Sequence, residues 1–101
     1  MRLPKKIKIA GFIYTVKRVD VIENITVEKG KNCAGSYSAL EEEIEIQKGY
    51  GNIEPQILLH EVLHAIDFSY NNERLDEETI ERLSQGLYDF LRNNKIEWVK
   101  E

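Results

Sequence analysis

The chain has 101 residues, of which 42% are hydrophobic and 32% charged, and its formal net charge is −4. This length has room for one domain, residues 1–101, and the composition is that of a folded globular protein rather than a disordered segment. The apolar runs are only a few residues long and the charge balance is acidic, so we expect neither a membrane span nor nucleic-acid binding.

The N-terminus is basic, but no long apolar run follows it, as a secretory signal would require. The only cysteine, Cys33, has no partner for an internal disulfide, which suits a reducing compartment. We interpret Cys33 as a small core or surface residue rather than a nucleophile. These features predict a cytoplasmic protein.

The first half of the chain alternates between apolar and polar residues, which is typical of β-strands. Residues 5–21, interrupted by Gly11, predict a hairpin whose basic side chains form a solvated strand face. A short strand is expected at Ile25 and Val27, and another over residues 34–40.

Residues 41–47 predict a further strand with one apolar and one acidic side. Ile44 and Ile46 point to the apolar side, while Glu43 and Glu45 point to the acidic side. Charged outward residues favour a position at the edge of the sheet. An extended peptide that paired with this edge would add a strand, and the acidic side would prefer a basic peptide. Alternatively, the acidic edge only prevents aggregation.

Two helices are predicted in the second half. The first spans residues 55–69 and begins with Pro55, which is well tolerated in a first helical turn. The second follows Asp76, a typical N-cap residue, and ends near Arg92. Apolar residues recur at helical spacing at Leu58, Leu59, Val62, Leu63 and Ile66, and at Ile80, Leu83, Leu87, Phe90 and Leu91. Trp98 and Val99 are expected to dock on the core.

These elements predict an α+β fold. A small antiparallel or mixed sheet of about four or five strands in the N-terminal half packs on two C-terminal helices.

Both histidines of the chain belong to the pattern His60-Glu61-Val62-Leu63-His64 on the first predicted helix. A spacing of four residues is about one helical turn, so both imidazoles point the same way and can bind one metal ion. Glu61 lies close enough to act as a general base toward a water molecule on that ion. The alternative is a pair of surface histidines on a charged helix.

Catalytic zinc sites with two histidines are completed by a carboxylate from elsewhere in the chain. The candidates are Glu77, Glu78, Glu81, Asp67 and Asp76. Glu77 lies one turn before Ile80 and beside the apolar stripe of the second helix, so we favour Glu77 as the third ligand and Glu81 as the runner-up. Acidic residues in a first helical turn also stabilise the helix dipole without any metal.

Two further roles stay open at this level. Asp67 either orients the ring of His64 or is a solvated residue near the helix end. A hydroxyl that stabilises an oxyanion could come from any of four tyrosines, which are Tyr37, Tyr50, Tyr70 and Tyr88.

The stretch from Leu58 to Asp67, with its HExxH pattern, resembles the zincin metallopeptidases and among them the gluzincins, whose third ligand is a glutamate. The small size resembles compact HExxH proteins of bacteriophages and prophages, which are distantly similar to the ImmA/IrrE group. By motif, the resemblance implies His60 and His64 as ligands of Zn²⁺ and Glu61 as the catalytic base. It implies Glu77 as a ligand only by its place on the following helix.

Two functions are therefore expected. The first is a zinc-dependent peptidase that hydrolyses a protein or peptide substrate. The alternative is a catalytically silent, metal-binding regulatory module of a phage or prophage that docks on a protein partner. A binding module has no use for a general base beside its ligands, so Glu61 distinguishes the two.

Overall fold

The structure is a computed structural model that describes residues 3–22 and 34–97. Its elements in chain order are β1 (Lys6–Ile9), β2 (Phe12–Val19), β3 (Gly35–Ser38), β4 (Glu43–Gln47), a 3₁₀ turn (Gly51–Ile53), α1 (Glu54–Asn71) and α2 (Glu77–Asn93). Within the described chain, a mixed four-stranded sheet packs against two C-terminal helices, which confirms the predicted α+β fold. Four predicted features lie outside the described residues, namely the strand at Ile25 and Val27, Cys33, Trp98 and Val99.

Strands β1 and β2 form the predicted hairpin around Ala10 and Gly11. These two residues have φ angles of 53° and 85°. A two-residue turn with both φ angles positive matches the right-handed twist of paired strands, and glycine adopts such angles without strain. Tyr14 and Val16 of β2 are buried, whereas Phe12, which lies on the same face of the strand, is exposed because it lies next to the turn.

The prediction that β4 forms a sheet edge is wrong. The strand order is β1-β2-β4-β3, with β4 parallel to β2 and antiparallel to β3. Among the described elements, helix α1 covers one face of the sheet and no helix covers the other, so an interior strand can carry charged residues outward. On that open face, Lys17 Nζ of β2 lies 2.6 Å from Glu43 Oε1 of β4.

The core lies between the inner face of the sheet and helix α1. Ile44 and Ile46 of β4 are fully buried, and Leu58, Val62 and Ala65 of α1 pack against them in one cluster. The predicted apolar side of β4 and the predicted buried side of α1 are therefore confirmed at these positions, and α1 is fixed to the centre of the sheet.

Helix α2 packs on α1 and contacts no described strand. Ile80 and Ser84 are buried, but Leu83 and Phe90, which we predicted in the packed stripe, are 49% and 56% exposed. A helix with one neighbour buries a narrower face than a helix between two layers. Ile66, one of the apolar residues predicted at helical spacing on α1, is also exposed. Neither helix is long and apolar enough to cross a membrane, within the residues that the structure describes.

Polar contacts fix the ends of the helices. Arg18 of β2 donates from Nε to Glu54 Oε1 at 2.7 Å and from Nη2 to Oε2 at 3.1 Å, which ties the sheet to the first turn of α1. At the other end, Asn72 closes α1 in the left-handed conformation, with φ of 55°. Asp76 caps α2 as predicted, since its carboxylate accepts a hydrogen bond from the Thr79 N–H at 2.8 Å.

Candidate metal centre

The two imidazole rings converge on the side of α1 that faces the start of α2. The Nε2 atoms of His60 and His64 lie 3.2 Å apart, and their ring centroids are 4.9 Å apart. Both side chains are largely buried, with exposed fractions of 14% and 29%. The rings therefore share one environment, as the spacing of four residues predicts.

Glu77, the first residue of α2, closes the group. Its Oε1 lies 2.5 Å from His60 Nε2, and its Oε2 lies 3.0 Å from His64 Nε2. One donor atom from each of the three residues can be chosen so that all lie within 4.8 Å of one another. The antiparallel packing of α2 on α1 thus brings the predicted ligand set together.

Glu81, the runner-up, has a different place. Its Oε2 accepts from Nδ1 of His60 at 2.6 Å, on the side of the ring opposite to Glu77. Its Oε1 lies 3.5 Å from Gln56 Nε2 and accepts from Gln85 Nε2 at 3.1 Å. A carboxylate that receives one ring N–H leaves the other ring nitrogen free to bind a metal and fixes the orientation of the ring.

The other acidic candidates have separate partners. Glu78 Oε1 accepts from Arg82 one turn later at 2.6 Å on the exposed side of α2. Asp76 caps α2, and the hydrogen bonds from Thr79 lower the pKa of its carboxyl group. Of the acids that the sequence nominates, Glu77 is therefore the one in contact with both rings.

The charges of the group are compatible with a bound cation. An ionised carboxylate only accepts hydrogen bonds, so His60 donates from Nδ1 to Glu81 and, when neutral, presents a lone pair at Nε2. That lone pair lies 2.5 Å from an oxygen of Glu77 and 3.2 Å from Nε2 of His64. A proton on Nε2 of His60 can form a hydrogen bond to one of these two neighbours, whereas a metal ion could accept a lone pair from all three ligand atoms at once.

Two of the three distances are close to those around a tetrahedral ion. Two ligands at about 2.0–2.1 Å from zinc lie roughly 3.3–3.4 Å apart in a tetrahedron. The separations of 3.2 Å between the rings and 3.0 Å between His64 and Glu77 are close to this value. The separation of 2.5 Å joins His60 to the other oxygen of Glu77, Oε1, and would have to grow by roughly 0.8 Å if that oxygen were the ligand. Two imidazole nitrogens and one carboxylate oxygen match catalytic zinc sites, which keep a fourth position open.

Glu61 lies beside this group but inside the protein, with only 7% of its surface exposed. Burial raises the pKa of its carboxyl group to about 7; His60 opposes the rise, and the carboxylates of Glu77 and Glu81 add to it. Its side chain reaches the start of β3, next to Gly35. A carboxyl group that titrates near neutral pH is suited to accept a proton and to return it.

Asp67 fits neither of the two readings that the sequence leaves open. It is 4% exposed, so it is not a solvated residue. Its carboxylate accepts from Asn71 Nδ2 at 2.9 Å, and both oxygens lie 3.3 Å from the Leu75 N–H, while no contact joins it to His64 within the described chain. Asp67 therefore fixes the turn between the helices, and through this turn the position of Glu77.

The four tyrosines do not supply an obvious donor to the site. Tyr37 lies in an aromatic cluster with Tyr14 and Phe68, and burial raises the pKa of its hydroxyl. Tyr88 donates to the carbonyl oxygen of Asn52 at 2.8 Å. Two remaining hydroxyls, those of Tyr50 and Tyr70, likewise show no hydrogen bond to the two histidines or Glu77 among the described contacts.

Some neighbours of the site were not identified from the sequence. Gln56 precedes His60 by four residues and Gln85 follows Glu81 by four residues, so helical spacing could have placed both beside the group. Gly35 could have been noticed as a glycine within a predicted strand, which often marks a close approach of the backbone.

Comparison with models of protein families, with curated proteins and with solved structures finds no match for this chain. The functional conclusions below therefore rest on the residues of the site and their geometry.

Proposed function

We propose that the protein is a zinc-dependent peptidase that hydrolyses a peptide bond of a protein substrate with Glu61 as the general base. The observation that carries the proposal is the convergence of one ligand atom each from His60, His64 and Glu77 beside the buried carboxyl group of Glu61. The resemblance of the His60–His64 motif to the zincins supports the same function.

In this proposal His60, His64 and Glu77 hold the ion, while Glu81 fixes the ring of His60. Zinc, when bound, lowers the pKa of a water molecule and polarises the substrate carbonyl. Glu61 takes the proton of the attacking water and delivers it to the leaving amine, so the carboxyl group ends the reaction in the state in which it began it.

The peptide that we expect to bind extended would pair with β3 rather than with β4. Both sides of β4 are occupied by neighbouring strands, whereas β3 pairs only with β4 among the described strands. Strand β3 also begins beside Glu61. A peptide that added to this edge by main-chain hydrogen bonds would pass in front of the site. Because β3 carries Ser36 and Ser38 outward, the preference for basic peptides that an acidic edge would give is no longer expected.

The second candidate is a metal-binding module that docks on a protein without cleaving it, as a phage or prophage regulator would. It is favoured by one observation, the exposed apolar side chains of Leu83, Leu87 and Phe90 on one side of α2. An exposed apolar patch on a helix is typical of a surface that binds another protein.

The two candidates are distinguished by Glu61→Gln. The zinc-loaded wild type and this variant are incubated with a proteome-derived peptide library, and new termini are identified by mass spectrometry. The peptidase proposal predicts cleavage by the wild type and its loss in Glu61→Gln with bound zinc retained. Glu78→Gln is the matched control, because Glu78 is exposed and contacts Arg82 instead of the rings. Equal cleavage by the wild type and Glu61→Gln would contradict Glu61 as the general base, and absence of cleavage by the wild type would contradict a peptidase.

A further inference from the structure

We propose that Gly35 is a positioning residue for Glu61. In this inference, which rests on the proposed function, the missing side chain at residue 35 lets the backbone of β3 lie against Glu61 and hold its carboxylate toward the metal group.

The space beside Gly35 is already filled by α1. A Cβ atom built on Gly35 would lie 2.7 Å from Cγ2 of Ile57, 3.0 Å from Oε2 of Glu61 and 3.1 Å from Cγ of Glu61. Carbon atoms in van der Waals contact are about 3.5–4.0 Å apart, so all three separations are too short for an unshifted side chain. Any residue larger than glycine must displace Ile57, Glu61 or the strand itself.

The backbone conformation gives no other reason for a glycine here. Gly11, Gly49 and Gly51 have positive φ angles, whereas Gly35 does not. Gly35 lies within a strand, where glycine is unfavourable because it is flexible and has no side chain to pack. Close approach of β3 to α1 is therefore the feature that requires it.

The strand cannot easily move away from Glu61. Gly35 is paired with Ile46 in the β3–β4 register, and the Gln47 N–H donates to the carbonyl of Ala34 at 2.8 Å. Ile46 is fully buried in the core. Since β4 is fixed on both sides, a methyl group at residue 35 should be accommodated mainly by the side chains of α1, and the flexible Glu61 side chain is the one that matters for chemistry.

The contact is tested first without metal, by the denaturant midpoint of Gly35→Ala in four backgrounds: wild type, Ile57→Ala, Glu61→Ala and the double variant. We expect Gly35→Ala to lower the midpoint of the wild type. We expect a smaller loss after Ile57→Ala, which removes the nearest atom, and the smallest loss when Glu61→Ala is added. Gly86→Ala on α2 is the matched control, because no atom lies within 4 Å of a Cβ at that position, and it should not lower the midpoint.

The consequence for activity is tested by comparing Ile57→Ala with Ile57→Ala plus Gly35→Ala, both loaded with zinc, on the best peptide from the library. In the second protein, the nearest atoms left beside the new methyl group are those of Glu61. We expect kcat to fall by about 10- to 100-fold, as misplacement of a reacting group by about 1 Å can do, while KM and the zinc affinity stay nearly unchanged.

The outcomes separate the two proposals. An equal loss of midpoint in all four backgrounds, or an unchanged kcat in the activity comparison, would overturn the inference about Gly35. Absence of cleavage by the zinc-loaded wild type would instead overturn the peptidase, while the stability comparison would still decide whether Gly35 and Glu61 are in contact.

Discussion

Three glutamates lie close to the two imidazole rings, and each has a different neighbourhood. Glu77 is half exposed and contacts Nε2 of both rings, Glu81 accepts from Nδ1 of His60, and Glu61 is buried. One type of side chain can therefore serve as a ligand, as an orienting partner and as a base, because burial and hydrogen-bond partners differ. The sequence favours Glu77 over Glu81 as the third ligand, but it does not predict the contact of Glu81 with Nδ1 of His60.

The task of Glu81 is tested by Glu81→Gln. The amide keeps the size of the side chain but no longer presents a charged acceptor to Nδ1 of His60, so the ring is held less firmly. We expect the zinc affinity to fall by about 10- to 100-fold, as measured by competition with a chromophoric chelator. Glu78→Gln should bind zinc as the wild type does. Equal affinities for Glu81→Gln and the wild type would exclude an orienting role.

The burial of Glu61 predicts a pH-dependent stability in the metal-free protein. The pKa of Glu61 is raised from 4.5 to about 7 in the native state. Between these values the native state holds a proton that the unfolded state has released, so the stability of the wild type falls as pH rises through this window. Above it, the wild type carries a buried charge that Glu61→Gln lacks.

We therefore expect Glu61→Gln to be more stable than the wild type by about 3 kcal/mol near about pH 8, with the difference fading below about pH 4.5. Urea unfolding in the presence of a chelator measures the stability difference between the two proteins at each of these pH values. A Glu61→Gln variant that is less stable than the wild type at the higher pH would show that the carboxyl group is not desolvated.

At the scale of elements, the site depends on how α2 is held against α1. Helix α2 packs on α1 and contacts no described strand, and Ile80 and Ser84 are its buried residues. The turn that joins the helices is fixed by Asp67, whose carboxylate contacts the N–H of Leu75 two residues before Glu77. The helix cap at Asp76 is predicted from the sequence. The hydrogen bonds from the Leu75 N–H to the buried carboxylate of Asp67 are not, because no simple spacing pattern indicates them.

The anchor is tested by Asp67→Ala, which removes the acceptor of the Leu75 N–H and leaves that group without its partner. We expect a loss of about 1–3 kcal/mol in the free energy of unfolding, together with weaker zinc binding because Glu77 is less well placed. Asn71→Ala removes only one of these hydrogen bonds and should have the smaller effect on both quantities. Unchanged zinc affinity in Asp67→Ala would show that the turn does not position Glu77.

Zinc should in turn order α2, because the ion would link Glu77 to both histidines of α1. Hydrogen exchange at the amides of α2 is expected to slow when zinc is added and to be unaffected by zinc in Glu77→Gln. The protection of β2 and β4, which lie in the sheet core, should change little. Equal exchange rates of the α2 amides with and without zinc would show that zinc does not link α2 to the histidines of α1.

At the scale of the whole molecule, the sequence predicts the elements better than their arrangement. Periodicity predicts the β1–β2 hairpin and both helices, but it places β4 at the edge, since parallel pairing of β2 with β4 depends on a connection far longer than any local pattern. The same limit explains why Leu83 and Phe90 are exposed although their spacing predicted a packed face. Their spacing predicts an apolar face, but whether a neighbour covers that face depends on the layers of the fold.

The central claim is that His60, His64 and Glu77 bind one zinc ion, and anomalous X-ray diffraction from crystals of the zinc-loaded protein tests it most directly. The account predicts a single strong peak at about 2.0–2.2 Å from Nε2 of both histidines and from a carboxylate oxygen of Glu77. A zinc-loaded crystal without a peak between these three side chains, or with a peak held by other ligands, would contradict it.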